Sequence, residues 1–479
     1  MKTSLYMGLD IGTSVAKGVI IDDAGNPISH ASLVRQNNKQ NTIKYEHDAD
    51  QVWWNEFLRI TDNLLKQLGS LKKNIRCVAV TGMVPNILPI DARGRPLGNA
   101  ILYYDGRAQS IEEQLDAELG TSKPQNQVLA QLIWLKTELG SEWRNVDKIL
   151  TTHSYIVFRL TGKICVDTIT SLECGNVLDS HEMEWNQDLL ERYDINANVL
   201  PEIVAPATIV GSVSKEAAET TGLNAGLPVV AGTTDMIGTL IGSGARNRND
   251  MLISYGTYGC ALMLLNDLKE VIFEKRLNYP IEWAASIPRS GQQLSALAQV
   301  LLPSNTPQEA LSKLDKLAET SIPGANEVVF VQMLNLAKSI ESTEPLGAIF
   351  NLGKDNTIAD ICRAMLEAFG YGLKYRFETS SIGVAPNKCF AASGGARSRI
   401  WRQIVSDITG LIQSYFPYSG NAFGSAVLAA VSIAPEVWEQ IYELQSRSFE
   451  IVFPSFQSDK EYSAAYQMYK NCLERFSGL

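Results

Sequence analysis

Two aspartates stand where a chain of this kind could handle phosphate and a hydroxyl. Asp10 closes the apolar run Met7-Gly8-Leu9 and is followed by Ile11, Gly12, Thr13, Ser14 and, three places on, Lys17. Backbone N–H groups, two hydroxyls and an ammonium can converge there on phosphate oxygens. Asp10 itself can hold a hydrated magnesium ion, which takes one or two carboxylates together with waters and substrate phosphate. The competing reading is a plain hairpin with a glycine in its turn. Asp235 follows Val229-Val230-Ala231-Gly232-Thr233-Thr234 and opens a Gly-rich apolar run. An acid at such a strand end can accept the proton of an attacking hydroxyl. It can equally be a first-turn acid stabilised by the helix dipole, and the motif by itself leaves both readings open.

Other stretches carry weaker signals of the same kind. Asp105 and Arg107, two apart after the run Ile101-Leu102-Tyr103-Tyr104, can grip a polyol through several hydrogen bonds or simply pair with each other in a loop. Met83 and Val84 follow the strand-like Cys77–Gly82, in the position where open α/β sheets place ligands. Trp53 and Trp54 are read as core packing in preference to a sugar platform. Cys389-Phe390-Ala391-Ala392 feeds Ser393-Gly394-Gly395-Ala396, and a helical pattern with Trp401, Ile404, Val405 and Ile408 follows. A Gly-Gly turn lets backbone come close to a nucleotide whose phosphate sits at the helix N-terminus.

The elements that must position these groups can be read from apolar periodicity. Residues 7–22 form a strand, a Gly-Thr turn and a returning strand. The pattern recurs at 251–264, with Gly256 and Thr257 in the turn, so the chain divides into two related halves, 1–245 and 246–479. In between, the spacing predicts a helix with an acidic start over 48–68, a buried strand at 77–80, a second strand at 87–90 and a hairpin turn at 91–94. Helical pattern over 108–160 breaks at Gly120, Pro124 and Gly140, and 167–180 reads as short, polar and strand-like. Residues 265–340 read as helix and loop, Thr357 as the N-cap of a long helix, and Asn421-Ala422-Phe423-Gly424-Ser425-Ala426 as the start of a closely packed one.

Bulk properties narrow the classes. A chain of 479 residues exceeds what one core fills, and 45% hydrophobic with 20% charged residues describes an ordinary globular protein. The net charge of −10, without a basic cluster, argues against nucleic acid as partner. Seven scattered cysteines lack metal or disulfide spacing, and no signal-peptide pattern or long apolar run is present, so a cytoplasmic protein away from membranes is expected. There is no G-x-x-x-x-G-K-[ST] and no strand-borne G-x-G-x-x-G, so a nucleotide would be held by another architecture. Four histidines without ligand spacing give zinc chemistry no support.

Taken in order, the stretches around Asp10, Asp235, Gly256-Thr257 and Gly394-Gly395 resemble the FGGY family of carbohydrate kinases, within the actin, heat-shock chaperone and sugar-kinase superfamily. The resemblance runs to about residue 432. It implies an α/β fold of two ribonuclease-H-like domains, each a mixed five-stranded sheet flanked by helices, with MgATP and sugar in a cleft between them. The N-terminal domain would be the sugar side and the C-terminal one the nucleotide side. On this chain, the resemblance makes Asp10 the magnesium-positioning residue and Asp235 the catalytic base. It puts Gly12, Thr13, Lys17, Gly256 and Thr257 at the terminal phosphates, and Gly394, Gly395, Ala396 and Arg399 beside adenosine. Met83, Val84, Asp105 and Arg107 fall on the substrate side.

Departures bear on the sugar. Glycerol kinases carry Arg-Glu where Met83-Val84 stands and Gln where Met236 follows the base, which disfavours glycerol. Xylulokinases show Gly-Gln-Met-His where this chain has Thr81-Gly82-Met83-Val84. The family's L-P-Y-x-x-G-E-R-x-P stretch is replaced at 331–345. The expected activity is ATP-dependent phosphorylation of a primary hydroxyl on a small sugar, with a ketopentose such as xylulose first. Another ketose, an aldonate, a polyol, or a non-catalytic sensing role are the alternatives. A homodimer is consistent with the resemblance.

Overall fold

The computed structural model describes residues 3–35, 44–120, 125–287, 290–332, 347–380 and 384–476. The replaced stretch at 331–345 lies outside these residues apart from Val331 and Gln332, and so does the break at Pro124. The chain divides into two compact units. One comprises 1–242, 267–280 and 420–447, and the other 243–266, 281–419 and 448–479. The sequence pattern suggests a single cut near 245, whereas two later segments return to the first unit.

The first unit is built on strands β1 (Leu5–Ile11), β2 (Val15–Asp22), β3 (Pro27–Val34), β4 (Ile75–Gly82), β5 (Ile209–Ser212), β6 (Pro228–Val230) and β7 (Thr233–Thr234). Their order is β5-β6-β4-β1-β2-β3, and β7 pairs with β4 beyond the end of β6. β1 runs antiparallel to β2 and parallel to β4. Every residue of β1 is buried because helices cover it, and a strand covered on both faces reads as a continuous apolar run instead of an alternation. The helix Asn55–Leu68 supplies Phe57, Ile60 and Leu64, each at most 1% exposed. Burying side chains of this size contributes about 1.5–3 kcal/mol apiece. Trp53 and Trp54 belong to this core, and the indole Nε1 of Trp53 donates to His47 Nδ1 at 3.0 Å.

The second unit repeats the plan with β8 (Met251–Tyr255), β9 (Gly259–Leu264), β10 (Ile281–Ile287), β11 (Cys389–Ala392), β12 (Gln413–Tyr415) and β13 (Glu450–Val452), ordered β10-β9-β8-β11-β12-β13. As in the first sheet, the hairpin and its third strand are antiparallel, the next two strands are parallel to the hairpin's first strand, and the far edge is antiparallel. Apart from β7, the two strand orders correspond, although the last two strands enter in opposite chain order. The five strands expected in each sheet are joined by an antiparallel edge strand, β5 in one and β13 in the other. The aromatic residues Tyr255, Phe369 and Trp401 meet with ring centroids 5.0–5.4 Å apart in this unit's core.

Local readings fail in several places, including a strand at Lys148–Leu150 within the helical stretch, and two of the failures have identifiable reasons. The strand-like 167–180 contains the helix Thr168–Leu172, because the Asp167 carboxylate accepts from the N–H groups of Ile169 and Thr170 and so caps a turn that polar composition conceals. Within 265–340, β10 is a seven-residue strand. Its alternation is broken because a register shift leaves Ala284 as an extra residue between Trp283 and Ala285, which swaps the inward positions midway. The long helix does begin at Thr357, whose side chain and that of Asp360 form a reciprocal capping box.

Candidate active site

In the first unit the end of β1 collects charge. Asp10 is 3% exposed and lies opposite Lys17 in the β1–β2 register. Thr81 Oγ1, at the end of β4, donates to Asp10 Oδ1 at 3.1 Å, and Asn421 Nδ2 donates to Oδ2 at 3.2 Å. Burial pushes the Asp10 carboxyl up to about 6, against the opposing pull of Lys17 and the two donors.

Asp235 is the first residue of the helix Asp235–Ser243 and is half-buried. Desolvation, then the negative charge of Asp10, then that of Glu173 push its carboxyl up to about 7, while the N–H groups of Met236 and Asp235 itself pull it down. The two aspartates thus sense each other's charge within one unit. Thr239 ties this helix to the one that Asn421 begins: its Oγ1 lies 2.9 Å from the Asp235 carbonyl oxygen and 2.5 Å from Asn421 Oδ1, so its one hydroxyl proton is shared between the two acceptors.

Glycine makes the close approach possible. A Cβ on Gly8 would lie 2.0 Å from the backbone nitrogen of Ala426, and one on Gly424 would lie 1.8 Å from the Gly238 carbonyl oxygen. The helix Asn421–Ile433 therefore rests directly on β1 and on the Asp235 helix, which brings Asn421 to Asp10. The small-residue pattern at 421–426 signals the close packing; nothing local marks Asn421 as a site residue.

The first turn is braced from outside. The Arg35 N–H donates to the Ser14 carbonyl at 2.8 Å. Its guanidinium donates to the carbonyls of Gly12 and Thr13 and makes a two-point pair with Glu56 at 2.9 and 2.6 Å. With these carbonyls tied back, Gly12 is buried, Thr13 half-buried and Lys17 exposed.

The remaining first-unit candidates are used differently. Asp105 and Arg107 pair with each other at 2.8 Å, Glu46 takes a second guanidinium nitrogen at 2.7 Å, and the guanidinium lies over the Trp134 ring at 4.3 Å. Asp105 also accepts from the Tyr45 N–H at 2.6 Å. The pair therefore forms the salt-bridged loop that its spacing allows. Met83 is 1% exposed, and its carbonyl accepts from the buried Asn86 side chain at 2.7 Å, while Val84 is half-buried.

In the second unit the Gly256-Thr257 turn is gripped by the start of the helix Ser290–Leu301, whose Gly291 N–H donates to the Gly256 carbonyl at 3.2 Å. Ser254 and Ser393 share a hydrogen bond of 2.9 Å, joining this turn to the loop after β11. There Ser393 adopts a left-handed φ of 76°. A Cβ on Gly395 would lie 2.4 Å from the Trp401 ring and 2.7 Å from the Tyr255 carbonyl oxygen, while one on Gly394 would meet nothing within 4 Å. Ala396 is buried, Gly394 and Arg399 are exposed, and Ser398 caps the helix that Arg399 begins. The unit thus brings Gly256, Thr257, Gly394 and Gly395 to the same end of its sheet.

Two sheets of matching order, each with a Gly-Thr hairpin, define a two-domain actin-like ATPase fold. The solved structure of xylulose kinase from Rhodospirillum rubrum shares it, with a TM-score of 0.81, 24% identity and 99% of each chain covered. So does glycerol kinase from Plasmodium falciparum with ADP, with a TM-score of 0.80, 18% identity, and 99% of this chain and 98% of that one covered. By sequence, the chain is 26% identical over 459 residues to the xylulose kinase of Escherichia coli (strain K12), covering 90% of this chain and 91% of that protein. Residues 5–242 match the N-terminal domain of the FGGY family of carbohydrate kinases and residues 251–433 match its C-terminal domain. The chain belongs to this family, and it is an ATP-dependent sugar kinase.

Proposed function

We propose that the acceptor is a ketopentose, xylulose first, phosphorylated at a primary hydroxyl with Asp235 as general base. The observation that carries this reading is the environment of Asp235: a carboxyl beside Asp10 at a helix start, pushed up to about 7, is poised to take a proton near neutral pH. The relatives named xylulose kinase supply the sugar class.

In the proposed reaction Asp235 removes the hydroxyl proton as that oxygen attacks the γ-phosphorus of ATP. The bond to the bridging oxygen breaks and ADP leaves. Such transfer asks the protein mainly for alignment and charge neutralisation. Gly12, Thr13, Lys17, Gly256 and Thr257 are assigned to the terminal phosphates, and Gly394, Gly395, Ala396 and Arg399 to adenosine. Met83, Val84, Asp105 and Arg107 are assigned to the sugar side, with Asp105 and Arg107 acting as a preformed pair. The first half of the chain, 1–245, would serve the sugar and 246–479 the nucleotide.

Magnesium fits the residues of the first unit. Among the described residues no three His, Cys, Asp or Glu side chains form a metal cage. A single buried carboxylate, Asp10, with its oxygens oriented by Thr81 and Asn421, suits an ion that keeps its waters and arrives with phosphate. When bound, the ion supplies charge neutralisation to the phosphate oxygens.

We place the enzyme in the cytoplasm, acting on a small molecule, without nucleic acid or membrane partners, and as a homodimer. All seven cysteines are free thiols, and among the described residues no helix is long and apolar enough to cross a membrane. Size-exclusion chromatography with light scattering tests the dimer. Coupled ADP release with MgATP over ketopentoses, ketohexoses, aldonates and polyols tests the reaction. Turnover with xylulose that disappears in Asp235→Ala is expected; turnover that survives in the variant would sink the base assignment, and a different preferred sugar would replace xylulose.

A further inference from the structure

Asp167, His153 and Thr233 form a buried cluster that the proposed reaction does not use. All three are 0% exposed. Asp167 Oδ1 accepts from the N–H of Ile169 at 3.1 Å, the N–H of Thr170 at 3.2 Å and the hydroxyl of Thr233 at 3.0 Å. Its Oδ2 meets His153 Nε2 at 2.9 Å and accepts from the Thr170 hydroxyl. Because the other ring nitrogen, His153 Nδ1, is buried without a partner, the imidazole proton belongs on Nε2, where it is donated to Asp167. One carboxylate therefore receives donors from three separated segments: the helix holding His153, the turn it caps, and β7.

The segment that ends in Asp235 needs such an anchor. β6 meets β4 at one register pair, Val229 with Val78. The chain then turns at Gly232, whose φ is +82° and where a Cβ would lie 2.1 Å from the Val80 carbonyl oxygen. Only Thr233 and Thr234 rejoin β4, opposite Thr81 and Gly82, before the helix begins at Asp235. Thr234 bonds locally, accepting from the Ile237 N–H at 3.2 Å. Thr233 reaches out of its own segment to Asp167.

We infer that Asp167, buffered in place by His153, is a positioning residue that fixes Asp235 through the Thr233 hydroxyl. This rests on the assignment of Asp235 as general base. Capping the helix Thr168–Leu172 accounts for the bonds from Ile169 and Thr170 and gives no reason for a buried hydroxyl at 233. An apolar residue would fill that place without the cost of burying a polar group. A displacement of about 1 Å at a reacting group costs up to about a hundredfold in rate, so the tie matters for turnover more than for binding.

The test is steady-state kinetics of Thr233→Val and Thr233→Ser on the full chain, with Asp167→Asn and Asp235→Asn alongside. Thr233→Val deletes one bond and leaves the cap and the His153 contact in place. Its kcat is expected to fall about 10- to 50-fold with both KM values within about threefold of the parent, and Thr233→Ser to recover to within about threefold. Asp167→Asn, which presents an amide to a ring of donors, is expected to lose more. A Thr233→Val enzyme with undiminished kcat, or a Thr233→Ser enzyme as impaired as Thr233→Val, would overturn the inference. An active Asp235→Asn enzyme would overturn the base assignment beneath it, whereas an inactive one beside a fully active Thr233→Val enzyme would overturn the positioning role alone.

Discussion

Asn421 lies 411 positions along the chain from Asp10, yet its side-chain amide donates to Asp10 Oδ2 at 3.2 Å while its carbonyl oxygen accepts from Thr239 at 2.5 Å. The one amide connects the carboxylate at the end of β1 with the helix that Asp235 begins. Its orientation is set by Asp10, since only the NH2 can donate to a carboxylate, which leaves the oxygen to accept from Thr239.

Asn421→Ala removes the donor and leaves the Thr239 hydroxyl with one acceptor fewer. An approximately tenfold loss of kcat/KM is expected, with a raised magnesium requirement, read from initial rates across a magnesium titration. Asn421→Asp sets a further carboxylate against Asp10 and should be worse than alanine at low magnesium. Equal magnesium dependence in all three proteins would remove Asn421 from the site.

Gly424→Ala tests the packing that delivers Asn421. Its Cβ would lie 1.8 Å from a backbone oxygen of the neighbouring helix, which cannot swing aside as a side chain would. A loss of about 3 kcal/mol or more is expected, seen as a collapsed soluble yield or a melting temperature many degrees lower. Gly394→Ala, where the added methyl meets nothing, should melt like the parent.

The two raised carboxyls make stability depend on pH. Asp10 at about 6 and Asp235 at about 7 hold protons in the folded state that the unfolded chain, near 3.8, has already lost. Between about pH 4 and 7 the folded form binds more protons, so the contribution of these groups declines as pH rises through that window. Asp235→Asn should therefore melt a few degrees above the parent at pH 8, corresponding to about 1–3 kcal/mol, and level with it near pH 4. Identical melting curves at pH 8 would contradict the burial argument. The acid limb of kcat/KM for the sugar is expected between about pH 5 and 7, above the usual carboxylate range.

Arg35→Lys keeps a cation and loses the planar fork that spans Glu56 and the Gly12 and Thr13 carbonyls. The KM for ATP should rise about three- to tenfold with a smaller change for the sugar, since the brace acts on the turn assigned to phosphate. An unchanged KM for ATP would mean that the turn holds its shape without Arg35.

The sequence by itself determined the elements with strong local signals and their repetition. The strand–Gly-Thr–strand hairpins at 7–22 and 251–264, the Thr357 cap, the Gly-Gly turn at 394–395 and the acid that opens the helix at 235 depend on neighbours within a few residues, so their chemistry is written locally. Strands such as β10 and the short helix after Asp167 were hidden, the first by a register shift that breaks its alternation and the second by a polar cap. Only the tertiary structure decided that Asp105 and Arg107 pair with each other, that Thr233 hangs on Asp167, and that Asn421 reaches Asp10. The last two are single hydrogen bonds between segments 66 and 411 residues apart. Their partners are chosen by which backbones can approach closely, and at Gly8 and Gly424 that approach depends on missing side chains whose consequence appears only once the helix is laid on the sheet.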